Sequence, residues 1–410
     1  MMVNLFNYLL ISNVFTGGFI LFKAGFEFYL GYIFMLAFLF FYFIRYGQPY
    51  FSRVFVYSLV LILAVSAVNV WLGNNSWMLL IKQLLGFLLN GLVYYLLIKI
   101  NKEDLDKLFR IYLKMAVIVA AIGIFQEVSY LLGFTYGYDY SYLVQKMQLT
   151  QRIWGMFPVA SIFPEPAHFG AAMIPAVFVS LLALIGKENG FISKKAAVLV
   201  LVSVLLSFSL ISYIGIALTL ILLILNLARP KVAAICLITL LVIMYLPYHY
   251  IHNIKIRVDD TAAVIAHKIP MEDANVSTFA LCSNAVVAYR SLLHNPVFGS
   301  GLGSHKISYD SYGTGVINPY HILLNREDAG SLFLRLVSET GLLGIAAFFY
   351  FLFRFYVSRK KNGHYWIISN AILCLVALNL IRMGNYFYSG FIFFIWLYYF
   401  AHQAKAKQVK

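Results

Sequence analysis

The chain has 410 residues, 62% of them hydrophobic and only 11% charged, with a mean hydropathy of +0.82, which excludes a soluble globular fold. The formal charge of +15 does not make it a nucleic-acid binder, because the lysines and arginines sit in short gaps between apolar runs and not in a basic block interleaved with stacking aromatics. Three cysteines, with Cys236 and Cys374 in apolar runs and Cys282 alone in a loop, exclude both a disulfide framework and a thiolate metal site.

Apolar runs of about 20 residues, long enough to cross a hydrocarbon core roughly 30 Å thick, recur from one end to the other. They predict an all-α polytopic membrane protein, one transmembrane domain over residues 1–410. About twelve spans are expected: roughly 3–22, 26–44, 54–72, 78–98, 110–134, 166–186, 195–209, 211–228, 232–251, 331–356, 365–381 and 385–402. The first run has neither a basic n-region nor a clear small-residue cleavage site, so it reads as a span and not as a signal peptide. The seventh and eighth share one unbroken stretch, AAVLVLVSVLLSFSLISYIGIALTLILLILNLA. Basic residues lie at both of its ends (Lys194, Lys195, then Arg229, Lys231), which requires an even number of crossings and a tight hairpin near Ser207–Ser212.

Applied to every gap, the positive-inside rule alternates. Arg45/Arg53, Lys102/Lys107, Lys187/Lys194/Lys195, Arg229/Lys231, Arg359/Lys360/Lys361 and Lys405/Lys407/Lys410 fall on one side, so both termini are expected in the cytoplasm. The opposite face has short gaps poor in Lys and Arg at Gly73–Ser76 and Met383–Gly384. It also has two long loops, about 135–165 and about 252–330, the larger lying before the tenth span. Basic and acidic residues nearly balance in these loops, so any anion site there is local.

Residues that could do chemistry concentrate in the two outer loops. The first ends in QRIWGMFPVASIFPEPAHFG, with Arg152 upstream and Glu165 wedged between Pro164 and Pro166 at the start of the sixth span. There the positive end of the helix dipole favours a carboxylate. In the second, STFALCSNAVVAYRSLLH (277–294) carries apolar positions at helical spacing, holds Arg290 in its last turns and stops at Asn295-Pro296. The GSGLGS that follows is not a dinucleotide fingerprint, since no strand–helix unit surrounds it; taken alone it is a tight loop packed on the membrane surface. His305 and His321 are proton-handling candidates, because histidine titrates near neutral pH. Arg335, one turn inside the span that begins near Ser331, needs a cavity or a partner, and Glu339 four residues on could be that partner. Asp259-Asp260 without further ligands makes a poor metal site and reads as the top of a solvated turn.

The order of long outer loop, HNPVFGSGLGS, polar stretch and SLFLRLVSETGLLG at the start of a span resembles the O-antigen polymerase and ligase superfamily. RIWGMFPVASIFPEPAHFG is similar to its arginine-then-Glu-Pro signature ahead of a transmembrane helix, and the resemblance covers most of the chain. It implies an inverting, metal-independent glycosyltransferase without cofactor. Such an enzyme acts on undecaprenyl-diphosphate-linked glycans at the periplasmic face of a bacterial inner membrane, with a chain-length regulator protein as a further partner. Arg152, Arg290 and Arg335 would grip the lipid diphosphate, and Glu165, His305 or His321 would take the acceptor proton.

Ligases of the superfamily carry a His-Asn pair where this chain has Gly330 and Ser331, which favours a polymerase over a ligase that moves glycan to a lipid A core. Tyr213 stands where many members have an arginine, and residues 277–283 contain none. A polytopic glycan transporter is the expectation from another class, for which Lys82, Lys114 and Glu127 inside the spans are the relevant ionisable residues.

Overall fold

The computed structural model describes residues 2–23, 27–48, 51, 53–186, 190–227, 230–313, 318–359 and 364–408. Lys187, Arg229, Lys360, Lys361 and Lys410, used above as orientation signals, lie outside the described residues.

The described chain is mostly helical. In order come α1 (Met2–Ser12), a two-stranded hairpin of β1 (Ile20–Lys23) and β2 (Glu27–Tyr29), α2 (Leu30–Tyr46), α3 (Arg53–Trp71), α4 (Trp77–Ile100) and α5 (Leu105–Leu131). A short α6 (Thr135–Tyr138) precedes α7 (Pro166–Leu184), α8 (Lys194–Leu205), α9 (Leu210–Leu227) and α10 (Pro230–Tyr250). The long second loop holds α11 (His252–Ile265), α12 (Val276–His294) and α13 (His305–Tyr312), followed by α14 (Leu332–Arg354), α15 (Tyr365–Ile381) and α16 (Phe391–Gln408). Polar residues in the gaps set the helix starts. Ser76, Asp104, Ser193, Asn275 and Ser331 each accept a hydrogen bond from a first-turn backbone N–H of the helix that follows.

Seven of these helices, α4, α5, α7, α9, α10, α12 and α14, are long and apolar enough to cross a membrane. Every apolar run expected as a span carries a helix, but α1 and α8, at 11 and 12 residues, are short for a crossing, and α14 breaks at Gly341 (φ 60, ψ −161). The run at 3–22 yields an α1 of only 11 residues, about 16 Å at 1.5 Å per residue. Its remainder turns at Gly17-Gly18 into β1, and a Cβ on Gly18 would lie 2.6 Å from Val144 and 3.1 Å from Pro164, so packing against the first outer loop ends the helix. Conversely α12, expected inside the outer loop, meets the length and composition of a span. It buries Thr278, Ser283, Asn284 and Ser291, so its polar stripe faces the rest of the protein. The long apolar stretch breaks near Ser207–Ser212: α8 and α9 are separated at 206–209, Phe208 adopts φ +46, and the Ser207 and Ser212 hydroxyls are 2.7 Å apart.

α7 is the centre of the bundle, buried on nearly every side and packed against α5, α8, α9 and α15. Small residues permit the close crossing with α9: a Cβ on Gly170 would come within 2.0 Å of the Ser212 hydroxyl, and one on Gly215 within 2.2 Å of Ile174. Pro175 opens the α7 hydrogen-bond ladder. The Tyr112 hydroxyl enters the opening, donating to the Ala172 carbonyl at 2.8 Å and accepting from the Ala176 N–H at 3.3 Å. A dry interior tolerates a helix break only where such a partner exists.

Candidate functional site

The segment before α7 is irregular backbone lodged inside the bundle. Phe157, Pro158, Val159, Ala160 and Ser161 are all buried, and so their backbone groups need partners from the neighbouring helix. α5 supplies them. Gln126 accepts from the N–H groups of Ala160 and Ser161 at 3.0 and 2.8 Å, Glu127 accepts from that of Phe157 at 3.0 Å, and the Ser161 hydroxyl donates to the Val119 carbonyl at 2.8 Å. This anchoring fixes the Pro164-Glu165-Pro166 corner. Glu165 occupies the N-cap position of α7, yet its side chain accepts no hydrogen bond from the helix.

Polar side chains from α7 itself, from α11 and from the segment after α15 lie around this carboxylate. Arg257 on α11, Arg382 just after α15, His168 one turn into α7 and Tyr388 all lie within electrostatic reach of Glu165, and Asp328 within reach of Arg382, His168 and Tyr388. The His168 Nδ1 and the Tyr388 hydroxyl are 3.1 Å apart. Burial holds the guanidinium of Arg382 below its ordinary value, and the charge of Arg257 adds to that. Burial also lowers Arg257, although its side chain reaches the surface, with Glu165 acting in the opposite direction. Both remain cations, because no such shift deprotonates an arginine near neutral pH. The Nη1 of Arg382 is buried and has no hydrogen-bond partner.

Close backbone approaches create this corner. A Cβ on Gly384 would fall 1.6 Å from the Asp328 carbonyl oxygen, and one on Gly330 would lie 3.4 Å from Arg382 Nη1. Met383 is held at φ +79 while its N–H donates to the Gly330 carbonyl at 2.9 Å, backbone strain of the kind that surrounding structure must enforce. The same segment is held by a buried network. Arg335 pairs with Glu339 at 2.8 Å, donates to the Gly384 carbonyl at 3.1 Å and to Gln83 at 3.2 Å, and stacks on Tyr386, whose hydroxyl donates to Glu339 at 3.0 Å.

The residues expected from sequence fall into different places. Glu165 is in the cluster. Arg335 supports it through Glu339, the partner its spacing indicated. Arg152 is exposed, with its guanidinium 5.2 Å from the centre of the Tyr130 ring, and among the described residues no ion pair joins it to Glu165. Arg290 donates to the Tyr312 carbonyl at 2.7 Å, tying α12 to the end of α13. His321 is exposed in a turn at φ +53. His305 is completely buried between Ser338 (2.9 Å) and Asn284 (3.0 Å), and burial, aided by the charge of Arg335, pushes it down to about 3. With both ring nitrogens engaged, it is a packing residue in this arrangement.

The glycine loop of 299–303 docks against α14 and the α3–α4 turn. Ser300 and Gly301 N–H groups donate to the Ser338 and Glu339 carbonyls, each at 2.9 Å, and Asn75 donates to the Leu302 carbonyl at 2.9 Å. Asp260 clamps Asn275 and Asp259 accepts from Tyr248, and among the described residues no group of three His, Cys, Asp or Glu could hold a metal. Sequence reasoning missed Arg257, Arg382, His168 as a partner and Tyr388. One signal pointed to Arg382: an arginine abutting an apolar run at a gap on the face where the positive-inside rule expects none.

Two cations and a carboxylate within electrostatic reach of one another can hold a phosphate-type anion and accept a proton beside it. The chain matches no protein-family model, no curated protein and no solved structure.

Proposed function

We propose that this chain is a glycan polymerase of the bacterial inner membrane, moving a glycan from its undecaprenyl diphosphate onto a lipid-linked repeat unit at the periplasmic face. The observation that carries this reading is the Arg257–Arg382 pair with an unpartnered Arg382 Nη1 beside Glu165. The charge of Arg257 lowers Arg382, and a departing diphosphate beside the two guanidinium groups would relieve that repulsion. In this reading α11 to α13 lie outside the membrane.

In the reaction, the oxygen of an acceptor hydroxyl attacks the anomeric carbon from the face opposite the diphosphate. The anomeric C–O bond breaks, its electron pair leaves with the diphosphate between Arg257 and Arg382, and the hydroxyl proton passes to Glu165. The sugar inverts. Arg335 positions the 382–386 segment. Of the residues relevant to the transporter alternative, Lys82 and Lys114 are exposed on helix surfaces, and Glu127 accepts from the Phe157 N–H with one carboxylate oxygen while the other is buried with no partner among the described residues.

The test is reconstitution with a synthetic lipid-linked repeat unit as sole substrate. Wild type yields a ladder of products, and Arg382→Ala or Glu165→Gln lowers its rate by about 100-fold or more, the scale of losing one transition-state contact. Arg326→Ala, which removes a peripheral ion pair with Asp310, leaves it intact. A wild-type protein that makes no ladder, or one indifferent to both changes, refutes the assignment.

A further inference from the structure

Tyr388, whose hydroxyl meets His168, also lines a cavity of about 100 Å³ walled by the end of α1, the start of α2, the middle of α4 and the 385–390 segment. That is several times the roughly 10–15 Å³ a single water needs, room for a small ligand. Its chemistry differs from that of the neighbouring cluster. No charged residue is among the described residues that line it; the polar groups are Thr16 and three amides, Asn13, Asn90 and Asn385.

Those amides are only half used by the protein. The Asn13 Oδ1 is buried without a partner. Asn90 donates its NH₂ to the Gly86 carbonyl at 3.0 Å, and Asn385 accepts from the Phe387 N–H at 2.9 Å, so the carbonyl of one and the NH₂ of the other remain for a ligand. The tyrosines are used in the opposite way: the hydroxyls of Tyr29, Tyr94 and Tyr388 already engage Glu27, the Leu10 carbonyl and His168. What they offer is ring surface. Glycine keeps the chamber open, since a Cβ on Gly17 would stand 3.8 Å from the Tyr388 ring and one on Gly31 only 2.8 Å from Asn13 Oδ1.

Neutral hydrogen-bonding groups of both polarities between aromatic faces suit a polyol ring, whose hydroxyls donate and accept and whose C–H faces stack. We propose that this cavity is a monosaccharide subsite, seating a neutral sugar ring of the acceptor within reach of the Glu165 corner through the shared wall of Tyr388. As an acceptor site it rests on the glycan-transfer reading; as a sugar-binding cavity it stands without it.

The test uses the full-length protein in lipid nanodiscs and saturation-transfer NMR with the methyl glycosides of glucose, galactose, N-acetylglucosamine and N-acetylgalactosamine at millimolar concentration. At least one is expected to receive saturation, and Asn90→Leu and Gly17→Leu each to lower the effect 5-fold or more. Leucine suits an apolar helix better than asparagine, so Asn90→Leu retains the fold; a melting midpoint equal to wild type identifies the variant that decides. In the ladder assay Gly17→Leu raises the KM for the repeat unit with kcat kept, whereas Arg382→Ala lowers kcat. Sugar binding without a ladder in wild type removes the transfer reaction and leaves the subsite. Absence of saturation from all four glycosides, or equal saturation in wild type and a folded variant, overturns it.

Discussion

Arg335 and Glu339 form an ion pair at 2.8 Å, one helical turn apart on α14, and both side chains are almost completely buried. Every remaining polar atom of the pair that is accounted for goes to Gln83, Gly384 or Tyr386, so the pair stitches α14 to α4 and to the segment that carries Arg382. Removing one member strands the other. Arg335→Ala should therefore lower stability by about 3–5 kcal/mol, and so should Glu339→Ala, while Arg335→Met with Glu339→Gln together cost much less than the two single losses added. Detergent-denaturation midpoints of the four proteins measure this, and additive losses contradict it.

Tyr112 serves α7 in a similar way. Its hydroxyl bridges the Ala172 carbonyl and the Ala176 N–H beside Pro175, so Tyr112→Phe should destabilise the protein by about 1–3 kcal/mol, the cost of buried unsatisfied groups. Adding Pro175→Ala lets the ladder close and should recover part of that loss. Thermal unfolding in detergent is the readout; equal midpoints for wild type and Tyr112→Phe count against this role.

His305 gives the fold an acid limit. Its imidazole is neutral and buried, pushed down to about 3, whereas in the unfolded chain it titrates near 6.5. Between those values the unfolded state binds the extra proton, so stability rises with pH. The contribution is fully present above pH ~6.5 and is lost as pH falls towards 3. At pH 5 the loss is about 2 kcal/mol, from roughly 1.5 pH units at 1.36 kcal/mol each. A His305→Gln protein should show a flatter acid limb between pH 7 and 5; an unchanged slope removes His305 as its cause.

Gly299 and Gly73 separate strain from collision. Both have positive φ, +65 and +83, but a Cβ on Gly73 meets nothing within 4 Å, whereas one on Gly299 would sit 2.5 Å from the Glu339 and Thr340 backbone. Gly73→Ala should cost about 1 kcal/mol from conformation alone. Gly299→Ala should cost at least about twice that, because backbone on the far side cannot step aside, and should release the glycine loop from α14. Limited proteolysis around 296–304 reports the release. Equal stabilities of the two variants would contradict the docked geometry.

What the sequence determined by itself is what depends on local composition. Partition between water and lipid is set run by run, so the helical character and the breaks between helices were legible, the one at 206–209 among them. Arg335 with Glu339 was legible too, because four residues on a helix is a contact. What only the tertiary structure decided is which distant groups meet. Glu165, Arg257 and Arg382 come from three separate parts of the chain, and a lone arginine after a helix has no period or spacing to announce its partner. The shortening of α1 and the burial of 157–161 were hidden for the same reason: both are settled by a neighbour that fills the space, Val144 and Pro164 against Gly18 and Gln126 under Ala160 and Ser161. Close packing makes such outcomes properties of the whole bundle and not of the segment.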